Sequence, residues 1–260
     1  MIHLSFPIEE LEYFLLIMTR ITCFIMVAPF FSIANVPARV KIGMGFFVSV
    51  LIYYATMPHE YPVYATFLEM ATLILKEAAV GLLLGFATDM CARIVMFSGH
   101  VVDMEMGLAM ANQFDPITKE NTTITGMFYH NMLMLLLILS GMYRYFVSAL
   151  AETFQLIPVG AAVFHMDHLL QSMISFLGDF MLLGMRVALP VYCTIMLLNA
   201  VLGILSKVAP QMNMFAVGIQ LKVFTGLAIL FLTIGLLPSV SDLIFDQMKR
   251  VMVSFVGGMM

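Results

Sequence analysis

The sequence predicts an all-α protein that is embedded in a membrane. Of its 260 residues, 62% are hydrophobic and only 11% are charged, a balance that ordinary soluble domains do not have. Its apolar runs approach or exceed the roughly 20 residues that a helix needs to cross a bilayer. Polar breaks that contain proline separate these runs and should turn the chain between helices. The expected fold is therefore a polytopic set of helical hairpins.

Six apolar runs are candidates for membrane helices: residues 11–33, 40–57, 66–88, 126–142, 176–205 and 214–237. Glutamates precede the first run and no small-residue cleavage site follows it, so we expect it to be retained rather than removed as a signal peptide. We predict one domain over residues 1–260, with an N-terminal half of about 1–125 and a C-terminal half of about 126–260.

The clearest break lies at residues 206–215, between the last two runs. Pro210 has no backbone N–H and disfavours helix at the preceding residue, so the helix before it should end near Ala209. Gln211 and Asn213 can bond the backbone groups that this leaves free. Because lipid cannot do so, the break must be covered by protein or face water. We interpret it as an assembly contact or part of a pore.

A second break occupies residues 112–123, in the middle of the chain. Asp115-Pro116 is a turn signal, and the Asn and Thr side chains that follow compete for backbone hydrogen bonds. We therefore expect a loop there between two buried segments.

Methionine and phenylalanine lead into this central loop. Met106, Met110 and Phe114 have i, i+4, i+8 spacing and would line one face of a helix running into it. Such side chains deform without offering fixed hydrogen bonds, which suits a constriction that seals against ions yet admits varied polypeptides. The alternative is that the methionines, 26 in all, simply fill a membrane core.

Ionisable residues inside the apolar runs should contact protein or water, because facing lipid is costly. They are Arg20, Glu69, Lys76, Glu77, Asp179, Arg186 and Lys222. A proton or ion relay is one interpretation, and charge compensation between neighbouring helices is the other. Their dispersal and mixed signs favour compensation.

Small residues indicate close helix packing at one place in the third run. Gly81 and Gly85 lie one helical turn apart, with Ala78 and Ala79 beside them, and form a small-xxx-small face. This face fits packing within the chain and packing against another subunit equally well.

The usual marks of enzyme chemistry do not occur in the sequence. It has no glycine-rich phosphate loop, no G-x-S-x-G and no H-E-x-x-H, so we predict no catalytic residue and no cofactor. Three isolated cysteines predict neither a disulfide framework nor a zinc site, and the pair His165 and His168 is only a weak metal candidate. The net charge of −4 and the lack of a basic stripe exclude nucleic acid as a partner.

Several motifs together resemble the FliR family, inner-membrane components of the flagellar export gate that are homologous to the SctT proteins of injectisomes. The motifs are Met106-Gly107-Leu108-Ala109, Phe114-Asp115-Pro116, Leu156-Ile157-Pro158-Val159-Gly160, and Leu202 to Phe215 with Gly218 and Lys222. The Ala209 to Phe215 stretch is the most specific of them, and the resemblance covers nearly the whole chain.

This resemblance implies a non-enzymatic subunit of the flagellar basal body. With FliP and FliQ partners it would form a helical, closed pore for unfolded flagellar substrates, with FlhB and FlhA components on the cytoplasmic side. Its segments would be kinked hairpins in a shell partly raised out of the bilayer plane, so that hydropathy overstates the number of spanning helices. The family's pore plug falls at about residues 107–123, with Phe114 as a sealing residue, although Asn112-Gln113 departs from the apolar or small residues expected there.

The predicted sites are thus two. The plug comprises Met106, Gly107, Met110, Phe114, Asp115 and Pro116, and the assembly break comprises Pro210, Gln211, Asn213, Phe215 and Lys222. The main rival hypothesis is a secondary transporter for a small solute, whose broken helices and buried charges would form a midplane site. A purely structural membrane scaffold is a third possibility.

Overall fold

The computed structural model describes residues 8–32, 36–57, 62, 64, 66–108, 123–209, 211 and 213–260. Regular structure within these ranges is helical, which confirms the all-α prediction. The helices are α1 Ile8–Val27, α2 Ala38–Ala55, α3 Phe67–Met106, α4 Ile124–Leu139, α5 Met142–Leu156, α6 Met166–Val208, α7 Met214–Thr233 and α8 Leu237–Gly257, with a 3₁₀ turn at Ile234–Leu236 joining the last two.

Four helical stretches of the described chain are long and apolar enough to cross a membrane: Ala38–Ala55, Phe67–Met106, Met166–Val208 and Ala216–Gly257. The pair α4 and α5, bent by 71° at its break, would be a fifth. The first predicted run lies mostly in α1 and is not among them. Three glutamates in its first two turns, together with Arg20, give α1 too many charges.

Local chemistry explains where the long helices end or bend. Helix α6 ends at Val208, and the Ala209 N–H donates a last bond to the Leu205 carbonyl at 2.9 Å, so the predicted stop before Pro210 is confirmed. Helix α6 also contains Pro190, which removes one helical hydrogen bond from its interior.

The chain forms two compact units, each assembled from separate stretches. The first consists of Met1–Cys91, Leu137–Phe176 and Phe245–Met260, and the second of Ala92–Leu136 and Leu177–Ile244. Both units draw on residues from either side of residue 125. The division into an N-terminal and a C-terminal half stays a prediction.

Each unit has its own apolar core. In the first, α1 buries Leu16, Ile17, Ile21 and Phe24. This unit also pairs the loop before α6 with the residues after α8, because the N–H groups of Val163 and His165 donate to the carbonyls of Met259 and Gly258 at 3.1 and 2.9 Å. The core of the second unit comprises Val102, Met106, Ala188, Val191 and Ile195.

Candidate functional site

A buried carboxylate joins the two chain segments that flank the central loop. One oxygen of Asp103, near the end of α3, accepts a hydrogen bond from the Thr125 backbone N–H at 3.1 Å, and its other oxygen accepts from the Thr125 hydroxyl. The side chain of Asp103 is fully buried. The first N–H groups of a helix lack partners within it, so Asp103 does for α4 what an N-cap residue does, at the positive end of the helix dipole.

The same two segments touch through their backbones one turn earlier. A Cβ atom built on Gly99 would lie 2.2 Å from the Cα and N atoms of Gly126, which leaves no room for any side chain. We call residues 99–108 and 123–126 the loop stem. The stem brings together both ends of the segment 109–122.

Met106, the first predicted plug residue, lies in the core of the second unit. It is fully buried, and a Cβ atom on Gly226 of α7 would lie 2.0 Å from its sulfur. Helix α3 ends at Met106, because Gly107 has a φ of 80°. Helix α3 therefore ends at the first residue of the predicted Met106, Met110 and Phe114 face, and the face itself stays a prediction. The other predicted plug residues, Met110, Phe114, Asp115 and Pro116, lie outside the described residues.

An apolar surface groove of about 300 Å³ opens beside the loop stem. Its lining residues come from the stem, from α4 and α7, and from the 3₁₀ turn after α7: Leu108, Ile124, Thr125, Phe128, Leu227, Leu230, Phe231 and Ile234. The chain thus enters and leaves the segment 109–122 at an apolar surface.

The predicted assembly break is only partly described. The Asn213 side chain accepts a bond from the Ala216 N–H at 3.4 Å and caps α7. Gln211 and Asn213 are exposed, and Lys222 is half-buried on α7. Pro210 and the side chain of Phe215 lie outside the described residues. An assembly role for these five residues stays a prediction.

The glycine face of α3 packs against α1 of the same chain. A Cβ atom on Gly81 would lie 2.1 Å from the Arg20 carbonyl oxygen, and one on Gly85 would lie 3.0 Å from that of Phe24. Of the two interpretations that the sequence allowed, packing within the chain is the one observed.

Beside this contact lies a fully buried ion pair between α1 and α3. Arg20 Nε and Nη2 donate to the two carboxylate oxygens of Glu77 at 2.5 and 3.0 Å, and both side chains have zero exposure. Charge compensation between helices is therefore confirmed for these two residues. In this single chain the remaining five ionisable residues are half-buried (Lys76 and Lys222) or exposed (Glu69, Asp179 and Arg186).

The same pair also completes the end of α5. Arg20 Nη1 donates to the carbonyls of Ile157 and Thr153 at 3.1 and 3.4 Å. The Thr153 carbonyl also accepts the Ile157 N–H at 2.8 Å, whereas the Ile157 carbonyl lies just past the end of the helix. The guanidinium lies 4.2 Å from the centre of the Phe154 ring, and Glu77 accepts the Gly160 N–H at 2.8 Å. One ion pair thus holds α1, α3, α5 and the turn after α5 together.

The sequence itself places this helical architecture in a known family. The model of the family described as bacterial export proteins, family 1, matches residues 11–248. The chain belongs to this family.

Curated relatives agree with the family model over nearly the whole chain. A protein of Bacillus subtilis (strain 168) is 27% identical over 256 residues, covering 96% of this chain and 98% of its own. One of Aquifex aeolicus (strain VF5) is 27% identical over 251 residues, with 95% of both chains covered. One of Escherichia coli (strain K12) is 24% identical over 238 residues, with 91% and 90% covered. Each is named flagellar biosynthetic protein FliR, so the resemblance to FliR proteins is confirmed.

Membership in family 1 assigns the chain to export and not to enzyme catalysis. The secondary-transporter hypothesis gains no support from it. Within the described ranges, no group of three or more His, Cys, Asp or Glu residues could hold a metal ion.

Sequence reasoning missed two residues of this family 1 member that the structure brings together. Asp103 has a sequence signal, an acid within an apolar stretch just before the Met106-Gly107 motif, and Thr125 has one as a hydroxyl residue where a helix begins. Their pairing across 22 residues has no local signal.

Outside the membrane helices, the hydroxyl of Tyr64 bonds the carboxylate of Glu12. This bond, with a smaller contribution from burial, raises the pKa of Tyr64 above its usual value.

Proposed function

We propose that this protein is a subunit of the flagellar type III protein export gate in the bacterial inner membrane, at the flagellar basal body. With FliP-type and FliQ-type subunits it forms a closed pore for unfolded flagellar substrate proteins, next to FlhB-type and FlhA-type components. The observation that carries this proposal is the match to FliR relatives over nearly the full length of both chains.

The surface of the isolated chain supports assembly with other apolar proteins. In the most apolar window of the stretch Ala216–Gly257 only 6% of the residues are buried, and Phe224 and Phe231 of α7 are each 75% exposed. Such a surface must be covered by lipid or by neighbouring protein. The exposed polar residues Gln211 and Asn213 lie just before it, which suits a contact with another subunit.

The plug of this pore is the segment of about residues 107–123. The loop stem supports this assignment, because it fixes both ends of the segment at one place beside an apolar groove. In the mechanism that we propose, entry of a substrate displaces the segment, and soft apolar side chains such as Phe114 seal around the passing chain.

Deletion of residues 111–121 tests this function. In native membranes that contain the assembled complex, the deletion should raise the leak of small ions while FliP-type and FliQ-type proteins still co-purify. Phe114→Ala should raise the leak to a smaller extent, and Thr118→Ala in the same segment serves as the matched control with no expected effect. An assembled, deleted complex with unchanged conductance would leave only the scaffold hypothesis.

A further inference from the structure

The carboxylate of Asp103 lies where an ionised group is expensive, on a helix that is apolar enough to span a membrane. The buried Arg20–Glu77 ion pair belongs to the other compact unit, so its role at the end of α5 does not explain why Asp103 is buried. Both oxygens of Asp103 are instead used on one residue, Thr125, at the start of α4. An acceptor placed there satisfies a backbone N–H that the helix itself cannot satisfy.

We propose that Asp103 is the positioning residue of the central loop, and that its bonds to Thr125 keep the loop stem closed so that the segment 109–122 seals the pore from a fixed base. This inference rests on the proposed function, since it assumes that the segment is a plug. It adds that the stem stays closed when the segment 109–122 is displaced.

Two contacts on one face of α3 fix both the distance and the rotation of α4. Gly99 and Asp103 are four residues apart and therefore lie on the same side of the helix. Gly99 meets the backbone of Gly126, and Asp103 bonds its neighbour Thr125. A single contact would leave α4 free to turn about it, whereas two contacts one turn apart define a register.

The last turn of α3 is also held from a second direction. Met106, three residues after Asp103, is fully buried in the core of the second unit and fits against Gly226 of α7. Thr123, where the chain re-enters the stem, is 6% exposed. The stem is thus packed on both sides.

Thr125 offers a matched pair of variants for the test. Thr125→Val keeps the shape of the side chain and removes its hydroxyl, whereas Thr125→Ser keeps the hydroxyl that bonds Asp103. Asp103→Leu removes both acceptors, and Asp103→Asn retains oxygen as an acceptor without the charge. Loss of one hydrogen bond to a charged group should raise the open population of the stem about tenfold, and Asp103→Leu should raise it further.

The first measurement is ion leak through the assembled complex in native membranes. We expect Thr125→Val and Asp103→Leu to leak several-fold more than the wild type, and Thr125→Ser to match the wild type. Should Asp103→Leu fail to accumulate, the Thr125 pair carries the comparison alone. Equal leak from Thr125→Val and Thr125→Ser in assembled complexes would overturn the proposal.

A second measurement does not depend on the plug. Met104 and Ile124 are 66% and 61% exposed and adjoin the two bonded residues, so each can carry a spin label after the three native cysteines are replaced by alanine. Electron paramagnetic resonance should give a narrow distribution of distances between the two labels in the wild type and in Thr125→Ser. The distribution should be broader in Thr125→Val. An unchanged separation in Thr125→Val and Asp103→Leu would overturn the proposal.

The two measurements keep this inference distinct from the proposed function. If deletion of residues 111–121 causes leak but the stem variants do not, the plug stands and Asp103 does not position it. If the deletion causes no leak, the plug assignment fails, and the spin-label separation alone decides whether Asp103 closes the stem.

Discussion

Two helix ends in this molecule are completed from a distance, and they differ in the sign of the charge that is used. Helix α5 ends on carbonyls, and Arg20 of α1 donates to two of them. Helix α4 begins with a free N–H, and Asp103 of α3 accepts from it. Arginine has donors only and ionised aspartate has acceptors only, so each side chain matches the polarity of the backbone groups at the helix end that it bonds.

The two charged side chains differ in the number of partners and chain segments that they connect. Arg20 is neutralised by Glu77, and the pair also binds the turn at Gly160, so four segments depend on one buried joint. Among the described residues, Asp103 bonds a hydroxyl and an amide of Thr125 and so joins two segments. The first arrangement is suited to holding a unit together, and the second to setting the position of one element.

The largest expected effect comes from breaking the first joint. Arg20→Met leaves the buried Glu77 carboxylate without its countercharge and removes a donor from the Thr153 and Ile157 carbonyls at the end of α5, which should cost about 3–5 kcal/mol of stability. Thermal unfolding in detergent and accumulation in the membrane measure this loss.

The double variant Arg20→Met with Glu77→Met should lose less than Arg20→Met alone, since no charge then stays buried. Arg39→Met, at an exposed position of α2, is the control and should behave as wild type. Wild-type stability in Arg20→Met would show that the pair is not a joint.

A smaller effect is expected where the backbone itself forms the contact. Gly81→Ala would place a methyl group 2.1 Å from the Arg20 carbonyl, so α1 and α3 must separate, at a cost of about 1–3 kcal/mol. Gly43→Ala, in α2 with no atom within 4 Å of the new methyl, should instead stabilise the helix by about 0.5–1 kcal/mol. A lower melting temperature for Gly81→Ala and a higher one for Gly43→Ala, each relative to the wild type, would confirm the contrast. Equal shifts of the two melting temperatures would refute it.

The smallest effect is expected at a helix start that is capped locally. Asn213 caps α7 from an exposed position through a long bond of 3.4 Å, so Asn213→Ala should cost only about 0.5–1 kcal/mol. If these residues form the assembly contact, the combined change of Gln211 and Asn213 to alanine should nevertheless reduce co-purification of the partner subunits. Full recovery of partners from the double variant would leave Asn213 as a cap alone.

Composition and proline chemistry were enough to predict the all-α fold and the end of α6 at Val208. They did not predict that α1 falls short of a spanning helix, because the apolar run of residues 11–33 leaves out Glu9 and Glu10 and extends past the helix end at Val27. The ion pair joins residues that are 57 positions apart in the sequence, and the Asp103–Thr125 bonds of the loop stem join residues that are 22 positions apart. No local pattern encodes such contacts. Arg20 and Glu77 were recognised as costly groups, but their partnership required the structure.

Helix length has a consequence for how this protein is made. At 1.5 Å per residue, the 43 residues of α6 extend about 65 Å, roughly twice the thickness of the hydrocarbon layer. Ordinary helix tilts of up to about 40° cannot fit the whole length of such a helix within the hydrocarbon layer. We therefore expect a newly synthesised copy without neighbours to present exposed apolar helix, the kind of surface that the quality control of a cell removes. On this expectation, the lifetime of the chain depends on how soon another protein covers it.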